Sequence, residues 1–167
     1  MKTFLIFLGF IMIPFFSFSQ ELTKIIDTMT DKIYFVDSGT YYLDEANDQG
    51  FRLDGLWKMN SEVPIFEGFT AKVIGIGGCV ENVTMIIQLE NGEKITKISW
   101  NKFNCEGNCF FRFTPKELEM LQTIPISRIR FQNGRNYEQL TGEPNNPRFF
   151  IEINQKAKEG GFKVIKE

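Results

Sequence analysis

The chain has 167 residues, with 19 Lys and Arg against 21 Asp and Glu, three cysteines and no histidine. At a net charge of −2, with its basic residues interleaved among acidic and apolar neighbours, it offers no clustered positive field for nucleic acid or an anionic membrane surface. The lack of histidine excludes a Ser-His-Asp or Cys-His relay, a histidine-ligated zinc and the usual neutral-pH proton shuttle, which leaves carboxylates, Lys, Tyr and Cys for any chemistry.

The first nineteen residues read as a secretory signal peptide. Lys2 is followed by an uncharged, mostly apolar run from Phe4 to Phe18, and Ser17-Phe18-Ser19 sets small residues at the two positions a signal peptidase reads before Gln20. The run of 15 residues is shorter than the roughly 20 that cross a bilayer as a helix. No Lys/Arg cluster follows it, and no cysteine near the cut can accept a lipid. The expectation is a periplasmic or secreted product with no membrane span after cleavage, residues 20–167. That product is one domain of 148 residues, 167 less 19, carrying 18 Lys and Arg against 21 Asp and Glu, net −3 once Lys2 is removed.

Residues 21–31 show neither a helical nor a strand period. From there, short apolar runs alternate with turn residues: Ile33 to Val36, Thr40 to Leu43, Phe51 to Met59 and Phe69 to Ile76, the last closing on Gly77-Gly78-Cys79. Val83 to Leu89 and Lys94 to Trp100 flank Glu90-Asn91-Gly92-Glu93, and Asn-Gly between alternating strands is a strong hairpin signal. A two-residue turn at Asn91-Gly92 sets Leu89 opposite Lys94, Met85 opposite Ile98 and Val83 opposite Trp100. Ile86 and Ile95 fall on the other face, which predicts a hairpin covered on both sides and central in its sheet. Cys109 to Phe113 is the next strand. Thr114-Pro115-Lys116-Glu117 then opens a helix over 115–122, with Thr as N-cap, Pro at the first position and Glu at the third. Ile126 to Phe131 and Tyr137 to Leu140 are expected to pair across Asn133-Gly134. A second helix over 147–159 carries an apolar stripe of Phe149, Phe150, Ile153 and Ala157 and ends at Gly160-Gly161. The whole predicts a mainly β, β-sandwich-like single domain of seven to nine short strands with two short helices.

Three cysteines in an exported chain suggest one disulfide and one remainder. Extending the hairpin register places Cys79 opposite Asn104, one residue from Cys105, so Cys79–Cys105 is the favoured bond. The competing pair, Cys105 with Cys109, closes only a small ring. Its three-residue spacing before a strand departs from the catalytic pattern of two residues at a helix start, which leaves Cys109 as a buried thiol.

Other candidates are weaker. Asp44 to Gly50 is acidic, but with Glu45 as position 1 of a calcium loop the twelfth position is Leu56 where a bidentate Glu is needed, so a solvated turn is expected. Gly75, Gly77 and Gly78 have no following Lys-Ser/Thr and no helix, unlike a phosphate loop. Tyr41, Tyr42, Trp57 and Trp100 are available as ligand-facing rings, with core packing as the competing use of any aromatic in an apolar strand. No catalytic, cofactor or metal-binding residues are assigned.

From Asn91-Gly92-Glu93-Lys94-Ile95 through Ser99-Trp100-Asn101-Lys102-Phe103-Asn104-Cys105, the chain resembles small secreted bacterial proteins of β-rich fold to which no activity is assigned. The resemblance covers roughly residues 70 to 140 and implies fold and export, without functional residues. The expected role is a non-catalytic envelope protein that binds another protein or a surface polymer through loops or edge strands. Carbohydrate or small-ligand binding through the aromatics is the alternative, and a carboxylate-based hydrolase the third reading.

Overall fold

The computed structural model describes the backbone of residues 22–29, 32–37, 40–60, 63–75, 79–101, 103–160 and 162–166, and their side chains other than those of 27, 32–37, 53–60, 63–69, 157 and 162–166. The expected signal peptide lies outside the described residues. In chain order the elements are β1 (Leu22–Asp27), β2 (Lys32–Asp37), β3 (Thr40–Asp44), β4 (Gln49–Asn60), β5 (Val63–Ile74), β6 (Val80–Glu81), β7 (Thr84–Leu89), β8 (Lys94–Ile98), β9 (Phe103–Asn104), β10 (Asn108–Arg112), α1 (Pro115–Thr123), β11 (Ile126–Gln132), β12 (Gln139–Gly142), α2 (Phe149–Glu159) and β13 (Phe162–Lys166). The chain is mainly β, with two short helices, as its alternating pattern predicts. Four strands are additions to that reading: β1, in the segment without a clear period, β13, which pairs with it in parallel, and the short β6 and β9, which pair with each other.

Two four-stranded antiparallel sheets carry the core. The first has the order β10-β5-β4-β3 and the second β12-β11-β7-β8. Their inner faces meet through aromatic rings: Phe51 of β4 lies 5.3 Å from Phe131 of β11 between centroids, and Phe111 of β10 lies 6.3 Å from Phe131. Phe149 of α2 closes one end, 4.2 Å from Tyr41 and 5.7 Å from Phe51. Aliphatic side chains at alternate positions, among them Met85, Ile87, Leu89 and Ile129, fill the space between, as the two-residue period of a half-buried strand requires.

Both lateral seams between the sheets are closed by the same device, an asparagine beyond a strand end that stands in for a strand. At one seam Trp100 N donates to Phe110 O, while Asn101 Oδ1 accepts from Phe110 N at 3.0 Å and Asn101 Nδ2 donates to Asn108 O at 2.8 Å. At the other, Asn145 N donates to Tyr42 O and Asn145 Oδ1 accepts from Tyr42 N at 3.2 Å. Gly142 is required at this second seam, because a Cβ there would stand 2.2 Å from Leu43 O. The sandwich is therefore stitched at both sides, which satisfies backbone groups that an open edge would leave unpaired.

The β7–β8 hairpin corrects the expected register. Leu89 N donates to Glu93 O and Gly92 N to Leu89 O, so the loop is the three residues Glu90-Asn91-Gly92, with Gly92 at φ +88°. This is the type I turn followed by a left-handed residue, not the two-residue turn. Paired positions shift by one, Ile87 opposite Ile95 and Thr84 opposite Ile98. A one-residue slip exchanges the faces of β8: Ile95 and Ser99 are buried, while Ile98 and Trp100 emerge at 66% and 64% exposure. The hairpin is also not central, since β8 ends the second sheet.

α1 forms as its start signal predicts. Thr114 Oγ1 accepts from Glu117 N and Glu117 Oε2 accepts from Thr114 N, the reciprocal capping box, and Glu117 also pairs with Lys97 of β8. Partial burial by itself raises the Glu117 carboxyl, but hydrogen bonds from Lys97 and Thr114 and the Lys97 charge outweigh it and hold it below its ordinary value. A depressed carboxylate stabilises the fold above its unfolded-state pKa, and that contribution is lost as pH falls through the folded value. Glu117→Gln is accordingly expected to lower the urea midpoint at neutral pH. The gap to wild type should shrink as the pH falls below the carboxylate range, as urea melts at both pH values will read.

Candidate functional site

Among the described residues, the outer face of the second sheet brings basic, amide and hydroxyl side chains together around one depression. Its position follows from a bulge. Between Ile126 and Arg128 the β11–β7 register shifts, and Ser127 Oγ donates to Gln88 O at 3.1 Å across the irregularity. Strict alternation from buried Ile126 would send Arg128 inward. The extra residue instead keeps Ile126, Ile129 and Phe131 in the core and turns Arg128 and Arg130 outward, a re-aiming of side chains that bulges commonly perform.

Three cross-strand rows build this face. The first runs from Lys94 through Gln88 to Arg128, the second from Thr96 through Ile86 and Arg130 to Thr141, and the third from Ile98 through Thr84 and Gln132 to Gln139. The side chains of the first two rows line a depression of about 160 Å³ in which no carboxylate takes part. Glu143 stands at its margin, with Oε1 3.9 Å from Arg128 Nη2 and both side chains largely in solvent, where such a pair holds little energy. Beyond the third row, Trp100 continues the exposed side of β8 and packs on Phe110 with ring centroids 5.1 Å apart. The ring is held, yet open to solvent.

The predicted aromatic site is dispersed. Tyr41 is fully buried, stacked 5.3 Å from Phe51, and is a core residue rather than a ligand-facing one, because its alternate position on β3 points between the sheets. Tyr42, on the opposite side of β3, is half-buried. Trp57 belongs to β4, and its side chain lies outside the described residues. Among the described residues the exposed aromatics are instead Trp100, Phe103 and Tyr137, with Arg135 placed 5.5 Å over the Phe103 ring. The signal for the charged part of the face was present as Arg128-Ile129-Arg130, two basic residues at strand spacing. Interleaved with apolar neighbours, such residues look in the sequence like an ordinary solvated face, and their cross-strand neighbours depend on the bulge.

Cys79 and Cys105 form the expected disulfide. β6 pairs with β9 in the register Val80 opposite Asn104, so the two cysteines face each other one step beyond the ladder. Asn133, fully buried, anchors this region: its Nδ2 donates to Cys79 O, and its Oδ1 accepts from Glu81 N and Arg135 N. Cys109 is free and buried opposite Ala71, where burial pushes its thiol up to about 12. The thiolate is the reactive form, so native protein treated with iodoacetamide near neutral pH is expected to remain unmodified at Cys109. Alkylation should appear by mass spectrometry only once the chain is unfolded in denaturant.

Asp44 to Gly50 forms the predicted turn. Asp44 caps a single 3-10 turn over Glu45–Asn47, accepting from Asn47 Nδ2 at 2.7 Å, and Asp48 is left-handed at φ +51°. Among the described residues, no three Cys, Asp or Glu side chains gather as metal ligands, and no helix is long and apolar enough to cross a membrane. Compared with known proteins, the chain matches no family model, no curated protein and no solved structure.

Proposed function

We propose that the chain is an exported, non-catalytic binding module that takes a polymer of the cell surface on the outer face of its second sheet. The observation that supports this most is Trp100, 64% exposed and held on Phe110 at the end of a sheet face that carries hydroxyl, amide and basic side chains together with Ile86 and Ile98. A held aromatic ring beside hydrogen-bonding groups suits a ligand that is apolar on one face and hydroxylated at its edges. The disulfide fits an oxidising compartment, in keeping with the signal sequence. The reading moves the binding surface from loops and edge strands to a sheet face.

Co-sedimentation of residues 20–167 with insoluble envelope polysaccharide from the source cell tests it. Wild type should sediment with the polymer, and Trp100→Ala should lose about tenfold in affinity, the size of effect expected when an aromatic anchor is truncated. Wild type that stays in the supernatant, or a Trp100→Ala variant that binds unchanged, would overturn the reading. A protein partner is the second reading, favoured by Phe103 at 55% exposure in the disulfide loop. It would show as a stoichiometric protein recovered from envelope extract.

A further inference from the structure

We infer that the polymer is acidic, and that Lys94, Arg128 and Arg130 bind its carboxylate or sulfate groups. This rests on the reading of the same face as the binding surface. Strand geometry places Arg128 and Arg130 about 7 Å apart along β11, and Lys94 two strands away from Arg128, about 10 Å across the sheet. Three cations thus surround one depression, in a chain whose acidic residues outnumber its basic ones.

Like charges gathered on one face oppose folding, and neighbouring acids normally relieve them. Here the lining contains none, and the acid paired at its margin is Glu143, 3.9 Å from Arg128. The bulge at Ser127 is what places the pair on this face: Arg128 and Arg130 share a side by strand alternation, and continued alternation from buried Ile126 would turn both inward. Guanidinium groups present paired donors that match a carboxylate or sulfate. Gln88, Thr96 and Thr141 supply neutral donors and acceptors around them, and Ile86 supplies an apolar floor. That mixture fits a sugar unit bearing an acidic group better than a bare anion, which would have no use for the floor. Nucleic acid is the poorer match, because three cations over two rows make a short track within a net-negative chain.

Isothermal titration of residues 20–167 with four probes tests the inference: polygalacturonate for carboxylate, dextran sulfate for sulfate, neutral dextran, and a single-stranded oligonucleotide. Wild type should bind one or both acidic polysaccharides, more weakly as salt is raised, and bind dextran at least about tenfold less tightly. Arg128→Gln/Arg130→Gln should weaken acidic-polymer binding about tenfold or more, with its thermal midpoint retained. Lys116→Gln/Lys158→Gln, with the same charge change on the exposed surfaces of α1 and α2, should leave it unaltered. Equal loss in both double variants would mean a general charge effect and would overturn the inference. So would binding of no acidic polysaccharide, or tighter binding of the oligonucleotide. If Arg128→Gln/Arg130→Gln still binds envelope polysaccharide while Trp100→Ala does not, the acidic assignment fails and the polymer-binding reading stands.

Discussion

Phe149→Ala is expected to destabilise the protein by about 4 kcal/mol, the largest loss of any single substitution named here. The ring is fully buried and touches three others, with centroids 4.2 Å to Tyr41, 5.7 Å to Phe51 and 4.4 Å to Phe150. Removing it takes away apolar burial and leaves a cavity where α2 packs on the end of the sandwich. The neighbours cannot collapse into it, because Tyr41 and Phe51 belong to paired strands of the first sheet. Chemical denaturation should show a lower midpoint with an unchanged slope. A loss below about 1 kcal/mol would mean that α2 is not part of the core.

The disulfide carries the second large effect. Cys79→Ser/Cys105→Ser opens a loop with a sequence separation of 26, and in the chain-entropy model the cost is about 3 to 4 kcal/mol. The effect should be close to that ceiling because Asn133 holds the same region through three hydrogen bonds from a fully buried side chain. Those bonds keep the folded geometry in place without the crosslink, so the loss arises mainly in the unfolded chain. Thermal melts of the oxidised wild type and the double serine variant read it directly. Equal midpoints would show that the bond constrains nothing that Asn133 does not already hold.

The residue pattern and the structure agree where local chemistry decides and part where a single residue of register decides. α1 was legible because Thr114, Pro115 and Glu117 each satisfy a helix terminus by themselves. The disulfide was legible because an error of one residue in register is smaller than the reach of two facing cysteines. The exposure of Trp100 was not, since Asn91-Gly92 is compatible with both a two-residue and a three-residue loop. The choice between them reverses the face of every β8 side chain. The cationic depression was hidden for a related reason: Arg128 and Arg130 face outward while Ile126 stays in the core only through the bulge at Ser127, for which the sequence holds no turn signal. Tyr41 and Tyr42, adjacent in sequence, were grouped as one aromatic site, but strand alternation sends the first into the core.

Amide chemical-shift mapping reads the outer face of the second sheet most directly. Uniformly labelled residues 20–167 would be titrated with soluble fragments of envelope polysaccharide. Perturbed amides are expected along β7, β8 and β11 at Thr84, Ile86, Thr96 and Arg130, and at Trp100, with the first sheet and α2 unmoved. Perturbations confined to Tyr42 and the turn at Glu45–Asn47, on the far side of the sandwich, would contradict the assignment of the second sheet's outer face as the binding surface.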